Sequence, residues 1–285
     1  TGSVFFVDSV TGSNGNSGAD SDHPFGTIDY AIGRCTADKG DIIFVMPGHA
    51  ETITTAGAID CDVAGISIIG LGNGKNRPTI SVSTSVGADI DIDADDILIS
   101  NMVFDVTGVD AVVGLFDVNE DSFHLEGCEI LMADTAGQAE SAMQCTSAHN
   151  MVVENCIFSA PITAGANEAI EFQTACNDVR IIGNTFDGDF ATGAIFTAST
   201  PLRLLIKDND ITNVSAGIAG IVLGITGIAV TGMVCGNNIS VADSASRTAQ
   251  AVTQLGDATW FDNRVAVQGL AEEGAVATPT ATYAS

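Results

Sequence analysis

Apolar residues along most of this chain come in short alternating runs, each closed by a small polar turn. Seven runs share one shape: ILISNMVF (97–104), FHLEGCEI (123–130), MVVENCIF (151–158), VRIIGNTF (179–186), LLIKDNDI (204–211), GMVCGNNI (232–239) and ATWFDNRV (258–265). Their last apolar residues are Phe104, Ile130, Phe158, Phe186, Ile211, Ile239 and Val265, in steps of 26, 28, 28, 25, 28 and 26. Five positions before each anchor stand Ile99, Leu125, Val153, Ile181, Ile206, Val234 and Trp260, all apolar. Three before it stand Asn101, Gly127, Asn155, Gly183, Asp208, Gly236 and Asp262, so every residue there is Asn, Gly or Asp. Two before it stand Met102, Cys128 and Cys156, then Asn184, Asn209, Asn237 and Asn263.

Short apolar alternation predicts strands with one face buried. Asn, Gly and Asp tolerate the left-handed backbone that turns a chain within two residues. A unit of about 27 residues cannot bury its own apolar face, so it must stack on its neighbours. Strand, tight turn, strand, loop, strand, repeated in register, predicts an all-β fold: a single-stranded right-handed parallel β-helix. The stacked Asn residues then form a ladder along its axis. ISIIGLGN (66–73) and DIIFVMPGHA (41–50) extend the pattern toward the N-terminus. The expected count is about nine coils, and at about 4.8 Å per coil the rod is about 40 Å long.

An open β-helix end invites edge-to-edge association and needs a cover. Residues 24–37 (PFGTIDYAIGRCTA) read as one, with Thr27 as helix N-cap and Ile28, Ala31, Ile32 and Cys35 at helical spacing. The expected organisation is a cap over 1–40, a β-helix over 41–267 and a tail or arm over 268–285.

Charge narrows the function classes. The 285 residues hold 9 Lys and Arg against 36 Asp and Glu, a formal net charge of −27. Nine scattered cations cannot build the basic stripe that direct nucleic-acid binding requires. The same shortage excludes attraction to anionic lipid. The acid is mostly Asp, 26 against 10 Glu, which suits turns and strands, and so acidic a surface stays hydrated in salty water. The uncharged stretch from Ser215 to Gly236 is long enough to span a membrane, but its Gly and Thr content and its phase with the repeat assign it to the solenoid. Seven cysteines without a CxxC pair read as reduced, buried thiols, and Cys128 and Cys156 fall in one turn column. No signal peptide is visible, and synthesis in a reducing cytoplasm is expected.

SVFFVDSVTGSNGNSGADSDHPFGTIDYAIGRC (3–35) and KGDIIFVMPGHAETIT (39–54) resemble the N-terminal cap of pectate-lyase-like β-helix proteins. They are similar to the versions found in tailspikes and other virion proteins of tailed phages. The resemblance is specific for fold, and one fold hosts many activities. It implies that a polysaccharide hydrolase would show paired carboxylates, a nearby His within Gly-His-Gly and an Arg/Lys pair. A lyase would show a catalytic Arg or Lys beside Ca²⁺. The near matches are Gly48-His49-Ala50, close to the cap, and Arg203 with Lys207, with no facing carboxylate pair evident. No catalytic residue is assigned on this basis.

In Asp89–Asp96 (DIDIDADD) the period of two turns Ile90, Ile92 and Ala94 inward and the aspartates outward. Asp91, Asp93 and Asp95 are the candidate metal ligands, with Ca²⁺ as the ion their oxygens suit. Consecutive positions on one strand face lie about 7 Å apart, which favours a solvated acidic face instead. His23, His49, His124 and His149 are isolated in sequence.

Stretch 216–236 leaves apolar residues facing outward in any phase. Ile218, Ile221, Leu223, Ile225, Ile228 and Val230 are therefore the candidate interface, buried by parallel packing of three copies. The reading that follows is a non-catalytic virion structural protein, a homotrimer decorating the outer capsid surface of a tailed phage against its major capsid protein. The alternative is a tailspike or fibre that binds or cleaves a host polysaccharide. A secreted carbohydrate-active enzyme is the third possibility.

Overall fold

The computed structural model describes residues 2–109, 112–132, 139–163, 165–218, 220–223, 230–242, 252–254, 258–267 and 275–276. Their strands stack into three sheets of ten, eight and ten members, termed here I, III and II in that order. Successive strands pass from sheet I to sheet II to sheet III and back, so sequence neighbours lie in different sheets and every sheet neighbour comes from the next turn. All of these pairings are parallel except one. The fold is an all-β parallel solenoid and fits a pectate-lyase-like β-helix. Eight turns carry a strand on every face, slightly fewer than the nine expected.

The repeat columns have direct structural counterparts. Asn101, Gly127, Asn155, Gly183, Asp208, Gly236 and Asp262 all have φ between 53° and 70°, the left-handed turn between sheets I and II. A second left-handed column, Asp96, Ser122, Asn150, Asp178 and Arg203, leads into sheet I. The anchors Phe104, Ile130, Phe158, Phe186, Ile211, Ile239 and Val265 are all buried. Phe158 and Phe186 are register partners and stack with ring centroids 4.9 Å apart at 12°.

Asn184, Asn209, Asn237 and Asn263 form the ladder, each at most 2% exposed. Asn209 Nδ2 donates to the Ile181 carbonyl and to Asn237 Oδ1, both at 2.9 Å. Its Oδ1 accepts from the Asn184 backbone N–H at 2.9 Å. The pattern repeats at Asn237, whose backbone N–H donates to Asn263 Oδ1. Cys128 and Cys156 occupy the same column on the two rungs before Asn184. There Cys156 Sγ donates to the Leu125 carbonyl at 3.5 Å, and its hydrogen bond with Cys128, together with burial, pushes the thiol up.

At the N-terminus Val4–Val7 joins sheet I as its end strand, so this segment extends the solenoid as well as covering it. The expected helix is short, Ile28–Ile32. Thr27 caps it by accepting from the Tyr30 N–H, and Ile28, Ala31 and Ile32 are buried against the first turns. At the other end Ala275–Val276 pairs antiparallel with Arg264 and Val265, the one reversal in the sheets described. The uncharged stretch supplies ordinary rungs, Ile221–Leu223 in sheet III and Gly232–Cys235 in sheet I.

Candidate functional site

Sheet III brings carboxylates together that lie far apart in sequence. Its strands Ile59–Asp60, Ile90–Ile92 and Gly114–Val118 pair so that Asp60 sits beside Asp91 and Asp91 beside Asp117. The inward alternation is as expected: Ile90 and Ile92 are sealed, and Asp91 between them faces out. The column then continues through Gln144, Glu171 and Phe196 on the next three strands. One outward line thus holds three carboxyls, an amide, a fourth carboxyl and a phenyl ring, spaced by about 4.8 Å per rung.

The electrostatics of the line are unbalanced. Among the described residues no Lys, Arg or His forms an ion pair with Asp60, Asp91 or Asp117. Partial burial, compounded by the charges of Asp89, Asp93, Asp117 and Asp60, pushes the Asp91 carboxyl up to about 6. Burial also raises Asp60 and Asp117, the latter opposed by a hydrogen bond from Asn119. Asp60 Oδ1 is buried with no hydrogen-bond partner. Asp91 is therefore a carboxyl that holds a proton near pH 6 in the midst of other acids. That is the property a general acid needs.

The three candidate ligands divide. Asp91 belongs to this column. Asp93 accepts from Asn119 Nδ2 at 3.1 Å, and Asp95 accepts from the Asp121 backbone N–H at 3.0 Å. Among the described residues no group of three or more His, Cys, Asp or Glu side chains is gathered closely enough to hold a metal ion.

The other candidates have structural partners. His49 is buried beside the cap, with Nε2 3.2 Å from Glu51 Oε2, and the same carboxylate oxygen accepts the Ile28 N–H at the helix start. Arg203 forms a two-bond ion pair with Asp178, and Lys207 lies 3.3 Å from Asp208. These two cations stand at sheet I, away from the carboxylate column.

The candidate interface needs correction. Ile221, Leu223 and Val230 are fully buried inside the solenoid, because the strand phase at Ile221–Leu223 turns Val222 outward instead. Ile218 is half-buried. Ile225 and Ile228 lie outside the described residues.

Asp60, Asp117, Gln144, Glu171 and Phe196 escaped the sequence reading. The repeat was anchored on sheets I and II, whereas this column runs through sheet III. Stepping 26 residues on from Asp91 lands on Asp117, so the same period carried the signal.

No known family model matches the chain, and neither does any curated protein. Among solved structures, the GH136 lacto-N-biosidase from Eubacterium ramulus is similar, with a TM-score of 0.46 and 11% identity over 93% of this chain and 68% of that one. A rhamnogalacturonan lyase is similar with a TM-score of 0.45 and 13% identity, over 86% and 71%. Likeness at this level concerns architecture and carries no argument about activity.

Proposed function

We propose that this chain binds and cleaves a polysaccharide laid along the outer face of sheet III. The observation that supports this is the column Asp60–Asp91–Asp117, with its central carboxyl pushed up to about 6. Adjacent rungs hold carboxyls about 5 Å apart, the separation of glycosidases that use one as acid and the other as nucleophile. Asp91 is the acid in this scheme, and Asp117 or Asp60 is the ionised neighbour. Gln144 and Glu171 offer hydrogen bonds to sugar hydroxyls, and Phe196 offers an apolar face to a ring. Four carboxyls in one line repel polyuronates, so the substrate class is a neutral or amino-sugar chain. The test is hydrolysis of a panel of neutral, amino and acidic polysaccharides by the purified chain and by Asp91→Asn. Cleavage of acidic chains alone, or cleavage unchanged in the variant, overturns the reading.

We also propose, as a second reading, a structural protein of a phage virion. It is favoured by Met233 and Phe261, 45% and 46% exposed on sheet I, where apolar side chains suit protein contact. Cryo-electron microscopy of phage particles carrying this chain tests it. Particles without rod-shaped density at the shell or tail overturn it.

A further inference from the structure

The outer face of sheet I is patterned so that it complements itself. Two columns of side chains run along it. One passes through Ser67, Leu98, His124, Val152, Arg180, Leu205, Met233 and Thr259, as the register of successive strands shows. The other passes through Ile69, Ser100, Glu126, Glu154, Ile182, Lys207, Cys235 and Phe261. Acid therefore lies on one side of the midpoint, at Glu126 and Glu154, the latter 3.0 Å from His124 Nε2, and the Arg and Lys lie on the other, at Arg180 and Lys207. In a chain of net charge −27 with nine cations, two on adjacent rungs of one face is a marked concentration. Arg180 is exposed and makes no ion pair among the described residues. Lys207 has only its exposed neighbour Asp208.

We propose that this face binds a second copy of the same chain, the two rods lying antiparallel. Place a two-fold axis along the strand direction, between the strands Val152–Glu154 and Arg180–Ile182. Each column then faces itself with its order reversed. Glu126 meets Lys207 of the second copy, and Glu154 lies diagonal to its Arg180. Met233 meets Leu98, and Phe261 meets Ile69. Each contact occurs twice, as a closed two-fold interface requires. Charge meets opposite charge at the centre, and apolar meets apolar toward both ends. A parallel two-fold along the rod axis keeps each rung but exchanges the two columns, setting Arg180 against Ile182 and Lys207 against Leu205, so both cations face apolar side chains. The antiparallel pair instead gives each cation a carboxylate of the second copy, and is therefore the arrangement proposed.

Eight strands at about 4.8 Å, with a width of about 15 Å including the flanking turns, bury on the order of 1,100 Å² over both copies. That is the low end for a specific interface, so the dimer is expected to be weak and reversible. Sheet III stays open in it, and the proposal stands apart from the polysaccharide reading.

Sedimentation velocity over a concentration series reads the result. The chain is expected to pass from monomer to dimer. Lys207→Glu and Glu126→Lys are each expected to weaken the dimer about tenfold or more, by setting like charges opposite one another. The double variant E126K/K207E is expected to restore it, since the pair is rebuilt with its signs exchanged. Both positions are exposed, and an unchanged melting temperature confirms the fold of each variant. A monomer at every concentration, a trimer, a dimer indifferent to Lys207→Glu, or a double variant without rescue overturns the proposal.

Discussion

Replacing Asp91 by Asn isolates the electrostatic cost of the sheet III column. The Asp91 carboxyl is raised from 3.8 to about 6 by burial and by four neighbouring aspartates. For a group sealed from water, about two units correspond to about 3 kcal/mol. Asp91 is partly exposed, so solvent screening reduces this to about 1 kcal/mol. The sign follows from proton binding. Between pH 4 and pH 6 the folded chain holds a proton that the unfolded chain has released, so this carboxyl's contribution to stability falls as pH rises through that window. Above pH 6 the penalty is complete. Asn keeps the shape and removes the charge. Thermal melting at pH 4, 5, 6, 7 and 8 is expected to show equal stability of the two chains at pH 4. By pH 8 the variant should lead by about 1 kcal/mol, or about 2 °C for a chain of this length. Equal melting temperatures at both extremes, or a variant less stable at pH 8, would refute the argument that repulsion in this column opposes folding.

Three further outcomes are expected. Asn209→Ala leaves the Asn184 N–H unpaired in the interior and removes the amide's bonds to the Ile181 carbonyl and Asn237, and should cost about 3 kcal/mol, read as a fall in denaturation midpoint. Gly236→Ala sets a Cβ at φ 70° against the Asp208 carboxylate, and should cost about 1–2 kcal/mol by the same measurement. Raising salt should stabilise the wild-type chain at pH 8 more than Asp91→Asn, because screening relieves a repulsion that the variant lacks; equal gains would count against that repulsion.

The rod was legible because its turns are steric. Only a few residue types sit easily at φ near 60°, and all seven members of the predicted turn column do so. The Asn ladder was legible for a related reason, since a buried amide needs a partner above and below it and so recurs at one period. The face of each side chain was harder to read. In stretch 216–236 apolar residues fill both phases, so the pattern alone could not show that Ile221 and Leu223 point inward and Val222 outward. The Asp60–Asp91–Asp117 column was hidden differently. Asp91 drew attention through its own strand, but its shifted carboxyl depends on the neighbours that register supplies from other turns. Pairing across rungs also explains why isolated residues such as Glu126 and Lys207 acquire meaning only once the sheets are assembled.

The central claim is that the sheet III column engages a polysaccharide through Asp91. The most direct test is product release from neutral and amino-sugar polysaccharides between pH 4 and pH 8, for the wild-type chain, Asp91→Asn and Asp117→Asn. The account predicts cleavage by the wild type that falls as pH rises through about 6, where Asp91 gives up its proton, and loss of at least a hundredfold in Asp91→Asn. Absence of cleavage on every substrate, or activity indifferent to both substitutions, would contradict it.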